Sequence, residues 1–203
     1  MSMAIAADQQ KISSLKDFLR LPETKPASEF LHGTILQKPM PTGKHSRLQS
    51  RLAREIDQRT ETKEIALALT ELRCNFGGRS LVPSIAVIRW ENLLWDENDC
   101  IADRFEQAPD WVIEILSPQQ PQHLVMEKVL FCLQHGSSIG WLIDPYVESV
   151  TVFRKDQTPT LHLSKPLPNT QDLPLPMLDG LTDWELYAKD LFGWLKRTKP
   201  NSA

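Results

Sequence analysis

The sequence predicts an α/β fold with a mixed β-sheet flanked by helices, and three observations carry that expectation. The first is the run Pro109-Asp-Trp-Val-Ile-Glu-Ile-Leu-Ser-Pro118, a near-continuous apolar stretch that reads as a strand buried on both faces. The second is the segment 46–58, where Leu48, Leu52 and Ile56 repeat every four residues and mark an amphipathic helix. The third is the order of the elements: helix, strand, strand, strand, helix, strand, strand. Helical and strand patterns interleaved in this way imply one mixed sheet with helices packed on it.

Along the chain, residues 1–14 are polar and expected to fray, with Ser13 or Ser14 capping a short helix that Pro22 stops. Segment 29–38 is a strand interrupted by a turn at Gly33. Ser46 is the expected cap of the 46–58 helix. Arg47, Arg51 and Arg54 form a row on that helix, diluted by Glu55 and Asp57, and read as a solvated face rather than a phosphate-binding one. Segment 64–76 alternates with a period of two and ends at Gly77-Gly78. Segment 82–90 is the next strand, giving a hairpin around that turn. Residues 91–108 are an acidic loop without the spacing of a calcium loop. After the 109–118 strand, Pro121 opens a helix that runs to His135, and Gly136 ends it. Segments 140–144 and 149–154 are paired strands. A proline-rich arm, 155–180, precedes a last helix capped by Thr182 or Asp183 and carrying Trp184, Leu186, Leu191 and Trp194. One domain over 15–196, with a tail at 197–203, is the expected organisation.

Composition narrows the function classes. The 203 residues are 41% hydrophobic, enough for a core, and 24% charged, with a net charge of −3, so no global basic field draws in nucleic acid. Cys74, Cys100 and Cys132 are scattered and lack zinc spacing, so they read as small hydrophobes in a reducing compartment. No apolar run approaches the roughly 18 residues of a spanning helix, and no signal peptide is evident. The expectation is a cytoplasmic protein with no membrane partner.

Glu114 is the residue that asks for an explanation. An ionised carboxylate in a buried strand is costly unless it is paired, hydrogen-bonded or metal-bound. A structural ion pair and a functional acid both satisfy that requirement, and the residues alone leave both open.

Several phrases stand in a telling order: Glu29-Phe-Leu-His-Gly33 with Lys38-Pro-Met-Pro41 and His45; Thr70-Glu-Leu-Arg73; Val82-Pro-Ser-Ile-Ala-Val87; 108–118; and Gly140-Trp-Leu-Ile-Asp-Pro145. Over roughly 15–196 the chain resembles the Uma-two family of restriction-endonuclease-like proteins, numerous in cyanobacteria, within the PD-(D/E)XK nuclease superfamily. The resemblance implies a restriction-endonuclease-like core and a metal-dependent endonuclease hydrolysing phosphodiester bonds. It implies acids on neighbouring strands that hold Mg²⁺ or Mn²⁺, and a lysine that orients or deprotonates the attacking water.

Carried over by position, Glu114 matches the principal acid and Glu29 an acid near the family's N-terminal elements. Lys128, on the following helix, is the candidate catalytic lysine, because Leu116 stands two residues after Glu114 where the motif has its lysine. The first metal-binding Asp should follow Pro83, but that residue is Ser84, a neutral and poorer metal ligand. Asp110, Glu71 and His45 are secondary candidates. Asp110 lies on the face of Glu114 but about 13 Å away along a regular strand. The serine opens an alternative: a catalytically inactive member of the fold that binds nucleic acid or a protein. The implied partner is nucleic acid, DNA foremost, and a homodimer would suit a duplex cutter.

Overall fold

The apolar run at 109–118 becomes an interior strand, and the other elements are placed by what they bury against it. The computed structural model describes residues 14–118, 120–181 and 183–197. The strands are β1 (Ser28–Leu31), β2 (Thr34–Gln37), β3 (Ala66–Thr70), β4 (Cys74–Phe76), β5 (Arg79–Leu81), β6 (Ile85–Arg89), β7 (Trp111–Ile115), β8 (Ile139–Asp144), β9 (Ser149–Arg154) and β10 (Thr160–Leu163). The helices are α1 (Leu15–Phe18), α2 (Gly43–Thr60), α3 (Gln122–Gln134) and α4 (Ala188–Gly193). A six-stranded sheet runs β10-β9-β8-β7-β6-β3, and a four-stranded sheet runs β2-β1-β5-β4. Among the named strands of the described residues, only β7 and β8 pair in parallel. They are joined through α3, as a parallel pair requires a crossover. The expected mixed α/β architecture is the one observed.

Two cores lie on opposite faces of the large sheet. On one face Leu48, Leu52 and Ile56 of α2 pack with Trp111, Ile113, Trp141 and the arm residues Leu175 and Leu178. On the other, Val125, Val129 and Cys132 of α3 pack with Val112, Leu142 and the small sheet's Leu31 and Leu81. Strand alternation sends Glu114, two residues after Val112, to the α3 side. The close fit of α3 depends on Gly140. A Cβ there would overlap Val129 Cγ1 and come within 3.2 Å of Val112 Cγ1. Gly140→Ala is therefore expected to lower stability by about 1–3 kcal/mol through overpacking. Urea denaturation checks it: the midpoint falls while the slope holds.

Several local expectations are corrected. The cap of α2 is Thr42, whose hydroxyl accepts the His45 N–H, so the helix starts three residues before Ser46. Segment 64–76 is not one strand. Glu71 turns the chain at φ 53°, and residues 74–76 join the other sheet. The hairpin around Gly77 and Gly78, both at positive φ, pairs β4 with the short β5. The chain then crosses between sheets at Val82-Pro83-Ser84, so the 82–90 strand begins only at Ile85. The last helix is the short α4, with Tyr187 at its cap. Residues before it stay extended because the Leu175 N–H bonds the Leu186 carbonyl (2.8 Å). Asp183 is not its cap, and Thr182 lies outside the described residues. Ser14 caps α1, accepting the Asp17 N–H at 3.2 Å, while Ser13 and the 1–13 segment also lie outside them. The arginine row on α2 is tied to its own chain: Arg51 pairs with Glu55 (2.6 Å), and Arg47 bonds the Trp194 carbonyl (3.3 Å). The thiols of Cys74 and Cys132 are buried, and burial pushes Cys74 up to about 12, so it is an inert thiol.

Candidate active site

Three separate elements deliver charged side chains to one point. Glu29 comes from β1, Glu114 from β7 and Lys128 from α3, and each is 3–4% exposed. The Lys128 ammonium lies 2.7 Å from Glu114 Oε1 and 3.0 Å from Glu29 Oε2. Glu29 Oε1 also accepts the Val82 N–H (2.8 Å). Val82 begins the crossover between the sheets, so the same short segment that holds Glu29 also presents Ser84. The Ser84 hydroxyl donates to Glu114 Oε2 (3.2 Å) and accepts the Ile115 N–H (3.2 Å), and His45 Nε2 lies 3.2 Å from it. Of the residues singled out from sequence, Glu29, Glu114, Lys128, Ser84 and His45 are thus in contact as one network.

Glu71 stands at its edge. The turn at Glu71 aims its carboxylate at Lys38 Nζ (2.7 Å) and Gln49 Nε2 (2.8 Å). Gln49 also donates to the Ser84 carbonyl (2.8 Å), and Lys38 to the Val82 carbonyl (2.8 Å). Lys38 and Gln49 were not singled out by sequence reasoning. Lys38 stands in a quoted phrase, and Gln49 carries no signal beyond its helix position. Asp110 is not brought to the network. Its carboxylate accepts the Arg89 N–H (2.8 Å) and the Asn92 side-chain amide (2.9 Å), a structural role.

A cavity of about 260 Å³ opens onto this network, lined by Lys38, His45, Gln49, Glu71, Ser84 and Glu114. A larger cavity of about 560 Å³ lies between the β1–β2 hairpin and the start of α3, with Glu29 and Lys128 in its wall. Lys38, Pro39 and Gln120 border both cavities.

Charge pairing outweighs desolvation here. Burial alone would raise the Glu114 carboxyl, but Lys128 and Lys38 hold it below its ordinary 4.5. Burial alone would lower Lys128, but Glu114 and Glu29 hold it above its ordinary 10.5. A depressed acid contributes stability above its unfolded value and loses it as pH falls through the folded one. A raised base contributes below its unfolded value and loses it as pH rises through the folded one. The pairing is therefore at full strength from about pH 4.5 to about pH 10.5.

His45 behaves in the opposite sense. Burial, and then Lys38, lower it from 6.5, against the smaller pull of Glu71 and Glu114. The unfolded chain binds this proton first, so native stability falls as pH drops below 6.5. His45→Gln, which keeps a donor towards Ser84, is expected to flatten that acid-side slope. Thermal melts at stepped pH check it, and an unchanged slope would locate the titration elsewhere.

The arrangement does not fit the Mg²⁺ or Mn²⁺ that the resemblance implies. A hard divalent ion needs several charged oxygen donors. Both carboxylates nearest the centre are paired with Lys128, Glu71 at the edge is paired with Lys38, and Ser84 and His45 are neutral. No group of three or more His, Cys, Asp or Glu side chains is arranged to hold an ion among the described residues.

The family model described as "Uma2: Putative restriction endonuclease" matches residues 15–188. The crystal structure of "a putative nuclease belonging to DUF820" from Anabaena variabilis ATCC 29413 superposes with a TM-score of 0.84 at 45% sequence identity. That match covers 90% of this chain and 99% of the other. No curated protein matches this chain. No helix among the described residues is long and apolar enough to cross a membrane. A restriction-endonuclease-like sheet and a match over most of the length lead to one assignment: the chain belongs to the Uma2 family.

Proposed function

We propose that this protein is a weakened nuclease that engages the phosphodiester backbone of nucleic acid, DNA foremost, in the cleft at Glu114. The observation that carries the reading is the buried Glu29–Lys128–Glu114 cluster bordering a cavity that Lys25 and Lys38 also line. Burying three ionised groups is expensive, and apolar replacements would serve stability as well. Their presence at a cavity therefore favours a functional role. Lys25, and Lys38 where a phosphate takes the place of Glu71 on its ammonium, supply positive charge for a phosphate, and Glu114 and Lys128 flank the place where an attacking water would be oriented.

Nucleases of this kind usually use a divalent metal. Here Ser84 and the lysine-bound carboxylates leave such an ion without a ligand set, so binding outweighs cleavage. Ser84 also favours the second reading, a fold member that binds without cutting.

Two assays test both readings. Fluorescence anisotropy with labelled oligonucleotides in EDTA is expected to show binding that weakens about tenfold in Lys38→Ala, as loss of a phosphate contact predicts. Plasmid nicking with Mn²⁺ is expected to be slow in the native protein, absent in Glu114→Ala and faster in Ser84→Asp. Absence of oligonucleotide binding would sink the proposal. Binding with no nicking above background would select the second reading.

A further inference from the structure

We infer that the 560 Å³ cavity between the β1–β2 hairpin and α3 receives an unstacked nucleobase of an unpaired strand, next to the phosphate engaged at Glu114. This rests on the nucleic-acid reading above and adds a substrate class to it. The cavity is walled by Leu31, Leu36, Pro121, Leu124 and Val125, aliphatic and proline surfaces that suit the flat apolar faces of a base. Thr34 and Gln37 also line it and offer polar groups for a base edge. Its volume lies within the range of small-molecule sites and leaves room for a base with part of its sugar.

Continuity with the smaller cavity identifies the occupant. Lys38, Pro39 and Gln120 border both, and Lys128, in the wall of the larger, touches Glu114, in the wall of the smaller. A strand whose phosphate lies at Glu114 therefore has its neighbouring base at the mouth of the apolar cavity. A base in a duplex is stacked and paired, and must be extruded to enter, whereas an unpaired strand does not bear that cost. The chain is accordingly expected to prefer unpaired strands.

The test uses the full chain in EDTA with a 12-nucleotide strand carrying one 2-aminopurine, as DNA and as RNA, and the corresponding duplexes. Leu124, exposed at the rim of the cavity, is replaced by Trp to fill it, and circular dichroism checks that the variant folds. The expected result is at least tenfold tighter binding of the single strand than of the duplex, with a rise in 2-aminopurine emission. In Leu124→Trp that preference falls below threefold while duplex affinity holds. Equal affinity for single strand and duplex, or a preference untouched by Leu124→Trp, would overturn the inference while binding through Lys38 stands. Failure of every oligonucleotide to bind would remove the nucleic-acid reading as well. The DNA and RNA arms report which sugar the site takes.

Discussion

Lys128→Met is expected to lower stability by about 3–5 kcal/mol, because it leaves two carboxylates buried and uncompensated. The loss is not one of packing, since methionine matches most of the lysine stem. It comes from the repulsion and desolvation that the ammonium now offsets: Nζ lies 2.7 Å from Glu114 and 3.0 Å from Glu29. Two consequences separate this account from a volume effect. The triple change Glu29→Gln, Glu114→Gln, Lys128→Met removes every charge and is expected to recover much of the loss. Mn²⁺ is expected to raise the melting temperature of Lys128→Met by more than that of the native protein, because only the variant presents two unpaired carboxylates to one point. Equal destabilisation in the single and triple variants would rule out the electrostatic account.

Trp141→Ala is expected to cost a similar amount, about 3–5 kcal/mol, through a large cavity. Trp141 is fully buried in β8, meets Trp111 edge-on at 4.7 Å between centroids, and donates its indole N–H to the Pro176 carbonyl (2.8 Å). It fills the core between sheet and arm, and the indole bond fastens 175–178 to the sheet. Trp141→Phe keeps most of the ring but leaves the Pro176 carbonyl unpaired, so a smaller loss of about 1–3 kcal/mol is expected. Urea denaturation of both variants provides the comparison. Equal losses would assign the whole effect to the hydrogen bond.

Much of the site was legible because its signals are local. A carboxylate inside an apolar strand marks Glu114 whatever surrounds it, and the helical pattern after Pro121 limits the lysine to Lys128. Glu29, Ser84 and His45 were reachable through phrases whose order matches the family. Lys38 and Gln49 were not, because their contacts cross 33 and 22 residues to Glu71 and leave no periodic trace. The same limit explains the errors in the fold. Glu71 gives no turn signature, yet at φ 53° it divides one apparent strand between two sheets. The Trp184 to Leu195 segment keeps helical spacing, but a hydrogen bond from Leu175 to Leu186 holds its first part extended. In both places tertiary pairing overrides local preference. The serine after Pro83 was visible at once, whereas the use of both nearby carboxylates by Lys128 emerges only in three dimensions.

The ion pair between Glu29 and Lys128 spans 99 residues of chain. One partner sits in the small sheet, the other on the helix that crosses over the large one. No short fragment can carry the site, and neither sheet forms it alone. Closing so long a loop is entropically costly until both sheets are in place. Glu29 therefore joins Glu114 and Lys128 only when the sheets have met, which makes the completed cluster a marker of correct assembly. A chain whose sheets have not met would leave Glu29 in solvent as an ordinary surface charge, with the cluster incomplete.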